Sequence, residues 1–285
     1  MTQPLGNEPR QPDQQISMIV MEKDGAHPRR DRVVIEEPLE IRVVLPDETR
    51  HSISVTMRTP GQDEELAAGF LFTEGILPDR SALGSIEHCP SAIGAAVGNV
   101  VNARLAAGAA FDPARFTRNV YTTSSCGICG RASLDLIRQS CPVKPEGSFE
   151  LAYDWMLGLS SRARDTQTVF EGTGGLHAAA LFEPNGELLF LREDVGRHNA
   201  VDKIVGALLL DHQLPASNRV LWVSGRASFE LVQKAVLAGI PAMAAVGAPS
   251  SLAVEAGREF GMTLIGFLRD GRFNVYSGAD RIEVI

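Results

Sequence analysis

The chain of 285 residues carries only four cysteines, Cys89, Cys126, Cys129 and Cys141. That is too few to staple a secreted scaffold of this length with disulfides. Positive charge is not in excess either. There are 27 Lys and Arg against 35 Asp and Glu, a formal net charge of −8. Proteins that track the phosphates of DNA or RNA need a basic face, so no nucleic-acid partner is expected. A local basic pocket for a small phosphorylated ligand is still compatible with that balance. The amino terminus, MTQPLGNEPRQPDQQ, has neither the basic flank nor the apolar run of a signal peptide. The longest uncharged run, Ala235 to Val254, is broken by Gly239, Pro241, Gly247 and Pro249. It suits a soluble strand–loop–helix passage better than a membrane span. No repeat at a fixed period is seen. The expectation is a soluble, cytoplasmic protein with reduced thiols and no membrane partner.

The residues that are present, 44% hydrophobic and 22% charged, describe a folded globular chain. Residues 1–15 are polar and Pro/Gln-rich and read as a disordered tail. From 16 to 115 the texture is strand-rich α+β. Arg32–Leu45 reads as strand with a break at Pro38. Ile53, Val55 and Met57 alternate with Ser54 and Thr56, which predicts one buried face. Thr59 to Gln62 opens a helix with Asp63, Glu64 and Glu65 in its first turn, where the helix dipole favours acids, and Gly75 ends it. Val97–Leu105 reads as another strand. Residues 108–118 form a joint. Beyond it, a second domain over 116–285 alternates strands (178–182, 188–191, 219–223, 242–246, 262–267, 272–276) with helices (199–210, 228–237, 251–260). That pattern predicts an α/β layer with helices packed on a sheet.

Five stretches carry chemistry. Cys126-Gly127-Ile128-Cys129-Gly130 places two thiols just before a helix expected over Arg131–Ile137. Free amides at a helix start stabilise a thiolate. Spacing alone leaves a thiol nucleophile, a sulfur carrier and a redox dithiol open. Zinc would need two more ligands, and no second CxxC or HxxxH exists, so no metal is expected. His177 enters a strand after Gly174 and Gly175, as a ligand, a base or a structural histidine. A zinc deaminase would carry Glu two residues later; Ala179 stands there. Glu193 to Lys203 (EDVGRHNAVDK) crowds ionisable side chains at a loop-to-helix junction, with Arg197, His198 and Lys203 read as facing a ligand. Ser224 to Ser228 and Gly247 to Ser251 follow strands and open helices, the place where α/β sheets bind phosphates. Arg226 adds an anion fork. Phe267 to Arg272 is a hairpin turn or a phosphate-contacting loop.

These motifs, together with Glu36–Leu39, Glu65–Phe70 and Thr73–Ile76, resemble the formate dehydrogenase accessory sulfurtransferases, the FdhD family, over residues 16–278. The resemblance implies a cytidine-deaminase-like α/β domain without zinc chemistry. It implies a sulfurtransferase that receives sulfane sulfur from a cysteine desulfurase as a persulfide on Cys126, with Cys129 as a second thiol of open role. Delivery would be to the molybdenum cofactor in its bis-molybdopterin guanine dinucleotide form, for formate dehydrogenase. It assigns Phe267, Leu268, Arg269, Asp270, Gly271 and Arg272 to cofactor binding and implies a cytoplasmic homodimer. Arg197, His198, Arg226 and the helix starts at Ser228 and Ser251 are further candidate donors. Cys89 and Cys141 fall outside the motifs and read as structural. A non-covalent cofactor chaperone is the competing reading.

Overall fold

The computed structural model describes residues 11–113, 145, 147 and 149–283. Strands β1 (Asp13–Glu22) and β2 (Gly25–Val34) form an antiparallel hairpin. The tail expected over 1–15 is corrected at its end, since residues 13–15 belong to β1; residues 1–10 lie outside the described residues. Asp13, Gln14 and Gln15 pair with Val34, Val33 and Arg32. Polar side chains do not prevent a backbone ladder, and the Arg32 guanidinium ties down the Asp13 carboxylate at 2.6 Å.

A four-stranded mixed sheet follows, in the order β4-β3-β6-β5. Its strands are β3 (Glu37–Val44), β4 (Arg50–Arg58), β5 (Leu83–His88) and β6 (Val100–Leu105). The expected break at Pro38 falls two residues earlier. Pro38 is the second residue of β3, a strand start where its missing N–H costs little. The single buried face expected for β4 is also corrected. Ile53 is buried, but Val55 and Met57 are 60% and 47% exposed. Ser52 pairs with Arg42 and Ser54 with Ile41, so Ile53 is an extra residue between them. Such a bulge shifts the pleat by one and reverses which side chains point inward. Helix α1 (Asp63–Thr73) covers this sheet with Leu66, Ala67 and Leu71. Two of its first-turn acids make tertiary contacts. Asp63 accepts two bonds from the buried Arg58, and Glu65 pairs with Arg192.

The second sheet has six strands in the order β13-β12-β11-β10-β8-β9. They are β8 (His177–Phe182), β9 (Leu188–Asp194), β10 (Val220–Val223), β11 (Ala242–Ala245), β12 (Thr263–Arg269) and β13 (Arg272–Ser277). The central β10, β11 and β12 are parallel; the others join antiparallel. Helices α5 (Arg197–Leu210), α6 (Phe229–Leu237) and α7 (Ser251–Glu259) pack on one face, against Leu221, Met243 and Leu264. Short helices α2 (Tyr153–Leu157) and α3 (Leu159–Arg164) cover the other. There Met156, Leu159 and Ala163 meet Trp222, Ala244 and Ile265. A parallel pair, β7 (Leu151–Ala152) with β14 (Ile282–Glu283), and helix α4 (Thr168–Thr173) complete the described elements. The α/β class expected from the alternation is the one observed. Among the described residues no helix is long and apolar enough to cross a membrane.

The two sheets are joined by α1 lying across α5 at backbone contact. A Cβ placed on Gly69 would sit 1.9 Å from the Asp202 carbonyl oxygen, and one on Gly206 would sit 1.8 Å from that of Glu65. Only glycine permits that approach.

Candidate functional site

The carboxyl ends of β10, β11 and β12 and the amino end of β8 share one edge of the six-stranded sheet. The loops that follow these strands stack there. Gly247 N–H donates to Gly225 O at 2.9 Å, Ser250 N–H to Ala227 O at 3.0 Å and Phe267 N–H to Gly247 O at 3.0 Å. Arg226, Ser251 and the 267–272 run are thus brought to the same edge. Ser250, rather than Ser251, caps α7 by accepting from Ala253 N–H, which leaves Ser251 as an exposed first residue. Phe267 has φ of 52°, in the left-handed region, and the β12–β13 ladder shifts between Gly266 and Arg269. Left-handed backbone is costly for a side chain of this size. It turns the chain so that Arg269, Asp270, Gly271 and Arg272 form an exposed hairpin tip.

On the helical side of the edge, the His177 ring and the Arg197 side chain flank Gly225. They lie 3.6 and 3.8 Å from where a Gly225 Cβ would be. The Nε of Arg197 is buried and lacks a hydrogen-bond partner among the described residues. His198 Nε2 lies 3.3 Å from Ser228 Oγ and 3.2 Å from Glu230 Oε2. Burial, then Arg197, keeps the ring neutral; in the tautomer with its proton on Nε2, facing Glu230, Nδ1 is an acceptor. Burial and Arg197 also push His177 below its ordinary value. On the opposite face, Leu268, Arg269 and Asp270 form one wall of a cleft whose other wall is α3.

Most of the Glu193–Lys203 stretch does not face this edge, which corrects the reading of Lys203 as ligand-facing. Lys203 is buried. Its Nζ lies 2.8 Å from Asp194 Oδ2 and donates to Thr59 O and Glu193 O. Asn199 donates to Met57 O and Asp194 Oδ1. Asp202 accepts from Thr73 and pairs with Lys234. The reason is the burial of α5 between α1 and the sheet, so its polar residues must be satisfied by the neighbouring elements, α1 and the chain before it, the end of β9 and α6. Of that stretch, Arg197 and His198 stand at the edge. The cysteines Cys126, Cys129 and Cys141, and the helix expected over 131–137, lie outside the described residues. Cys89 is buried, with its thiol pushed down chiefly by the Ser91 hydroxyl.

Comparison with known proteins places this arrangement. A model of the FdhD/NarQ family matches residues 34–283. The chain belongs to the FdhD/NarQ family. It is 51% identical over 271 residues to "Sulfur carrier protein FdhD" of Streptomyces coelicolor, covering 93% of this chain and 94% of that protein. A protein of the same name from Mycobacterium tuberculosis is 47% identical over 260 residues, covering 89% and 92%. A solved structure from Desulfotalea psychrophila, described as a formate dehydrogenase accessory protein, superposes with a TM-score of 0.73 at 25% identity. It covers 95% of this chain and 99% of that one.

Sequence reasoning about this FdhD/NarQ chain passed over the segment that carries α2 and α3. Met156, Leu159 and Ala163 are all buried, at the i, i+3, i+7 spacing of a helix face, and that was the available signal. Glu230, the carboxylate beside His198, was missed as well.

The neutral His198 has a measurable consequence. Burial, then Arg197, Lys234 and His177, hold its pKa down from an ordinary 6.5 to about 3. The unfolded chain takes up a proton near pH 6.5 that the fold refuses until about pH 3. Stability therefore falls as pH drops below about 6.5. Between pH 7 and pH 5 the loss from this group is up to about 2 kcal/mol. His198→Gln should flatten the dependence. Urea titrations with the same pH slope in both proteins would contradict it.

Proposed function

We propose that this chain is a sulfur carrier for formate dehydrogenase, working as a homodimer in the cytoplasm. It accepts sulfane sulfur from a cysteine desulfurase on Cys126 and passes it to bis-molybdopterin guanine dinucleotide. The observation that carries this reading is the Cys126-Gly127-Ile128-Cys129 pair in a chain 51% identical to a protein named as a sulfur carrier. The glycine-flanked pair supplies what the chemistry requires, a thiolate on a backbone that can approach a partner closely.

Loading balances as an exchange. The Cys126 thiolate attacks the terminal sulfur of the donor's persulfide, a new S–S bond forms, the donor's S–S bond breaks and its thiolate leaves. Release also balances if the Cys129 thiolate attacks the Cys126 sulfur. Hydrosulfide then departs to the molybdenum of the substrate, and a Cys126–Cys129 disulfide remains for a thiol reductant to reopen. The strand-end edge supplies cationic donors for the dinucleotide's phosphates through Arg269 and Arg272, with Arg197 and Arg226 nearby in the fold. Phe267 to Arg272 is the loop assigned to hold that substrate.

Intact-protein mass spectrometry after incubation with a cysteine desulfurase and cysteine tests the carrier step. The expected result is a reducible gain of one sulfur that maps to the Cys126 peptide and is absent from Cys126→Ala. No adduct on the wild type, with guanine-nucleotide binding intact, would favour a non-covalent cofactor chaperone instead.

A further inference from the structure

Helix α3 faces the hairpin tip that follows β12 across a cleft of about 440 Å³, a size within the range of small-ligand sites. Val246 and Leu268 give the cleft an apolar floor, and Arg164 and Asp165 approach from one side, Arg269 and Asp270 from the other. None of these four charged side chains is in an ion pair among the described residues. Two cations and two carboxylates therefore converge with their charges uncommitted. Ser160 also lines the cleft. Its Oγ accepts from Trp222 Nε1 at 3.1 Å, so its own O–H is left to donate.

The segment that supplies this wall also fixes the opposite one. Tyr153, at the start of α2, donates its hydroxyl to Gly271 O at 3.0 Å, and its ring packs 5.3 Å from that of Phe273. The hairpin tip is thus pinned at a set distance from α3. Arg164 and Asp165 sit at the end of a helix held by the buried Leu159 and Ala163, a firmer platform than a hairpin tip.

We infer that α3 is the second wall of the nucleotide site, with Arg164 and Asp165 as its specificity-determining pair. This rests on the reading that the 267–272 loop binds a guanine dinucleotide. Arg164 and Arg269 clamp the diphosphate from two sides. Asp165 reads the base. Guanine presents N1–H and N2–H side by side, and one carboxylate accepts both, whereas adenine offers an acceptor at N1 and is rejected. The Ser160 hydroxyl serves an acceptor of the same ligand.

Calorimetric titration of the full chain with GDP, IDP and ADP tests this, with Arg164→Ala, Asp165→Asn and Arg269→Ala as variants. All three side chains are exposed, so thermal melts should match the wild type. The wild type should bind GDP at least about tenfold more tightly than ADP. Arg164→Ala should weaken GDP about tenfold or more. Asp165→Asn should erase most of the preference for GDP over IDP, because an amide offers one acceptor where the carboxylate offers two. If Arg269→Ala weakens GDP while the two α3 variants bind as the wild type does, the loop reading stands and the role of α3 is wrong. If the wild type takes up no GDP, both fall together.

Discussion

Gly206→Ala is expected to leave little folded protein. Helix propensity alone points the other way, since alanine inside a helix is favoured over glycine by about 1 kcal/mol. Packing outweighs that preference. The added Cβ would lie 1.8 Å from the Glu65 carbonyl oxygen and 2.6 Å from its carbon. These are backbone atoms of α1, which cannot swing aside as a side chain would. Nor is α1 free to slide. Its first turn is held by the Arg58–Asp63 and Arg192–Glu65 pairs, and Leu66, Ala67 and Leu71 are set into the core of the four-stranded sheet. Relief therefore requires pulling apart the two sheets' common seam, at a cost of at least about 3 kcal/mol. Gly69→Ala should behave alike, with its Cβ 1.9 Å from Asp202 O. Soluble yield and the urea midpoint of each variant check this. A Gly206→Ala protein as stable as the wild type would show that the helices separate without penalty.

These two glycines illustrate what a local reading of the chain can reach. Although α2, α3 and α4 were not read, from His177 to Ser277 strands and helices stand within about three residues of where periodicity and turn chemistry put them. Their signals, apolar runs and Gly or Asn turns, are complete within a dozen residues. The strand-end loops, with Arg226, Ser251 and the 267–272 run, were legible for the same reason, because strand-loop-helix order fixes which sheet edge they share. Long-range partnership was not legible. Asn199 finds Met57, Asp202 finds Thr73, and Lys203 finds Thr59. Nothing near Glu193–Lys203 in sequence announces those partners, so a buried polar seam reads as a dense catalytic cluster. The bulge at Ile53 hides equally well, since one extra residue reverses the faces of a strand without changing its composition.

Asp194→Ala is expected to cost about 3–5 kcal/mol, the range for stranding one member of a buried ion pair. Asp194 and Lys203 are 0% and 1% exposed. Asp194 serves more partners than Lys203 does. Its carboxylate takes the Lys203 ammonium at 2.8 Å, the Thr59 and Gly196 N–H groups at 3.3 and 2.9 Å, and Asn199 Nδ2 at 2.8 Å. Removing it strands an ammonium among carbonyls and unpairs three further donors. Lys203→Met is expected to be milder, because the carboxylate keeps those three donors and methionine fills much of the lysine volume. The double variant should then recover part of the Asp194→Ala loss, since no buried charge is left alone. Denaturant unfolding of the three proteins measures that order, and an Asp194→Ala loss below about 1 kcal/mol would rule out the pair as the anchor of the seam. The same anchor sets the start of α5. Gly196 N–H bonds to Asp194, and Arg197 and His198 follow directly. Loosening it should therefore also release the His198 imidazole toward its ordinary pKa, which a titration of its ring protons by NMR would register independently of stability.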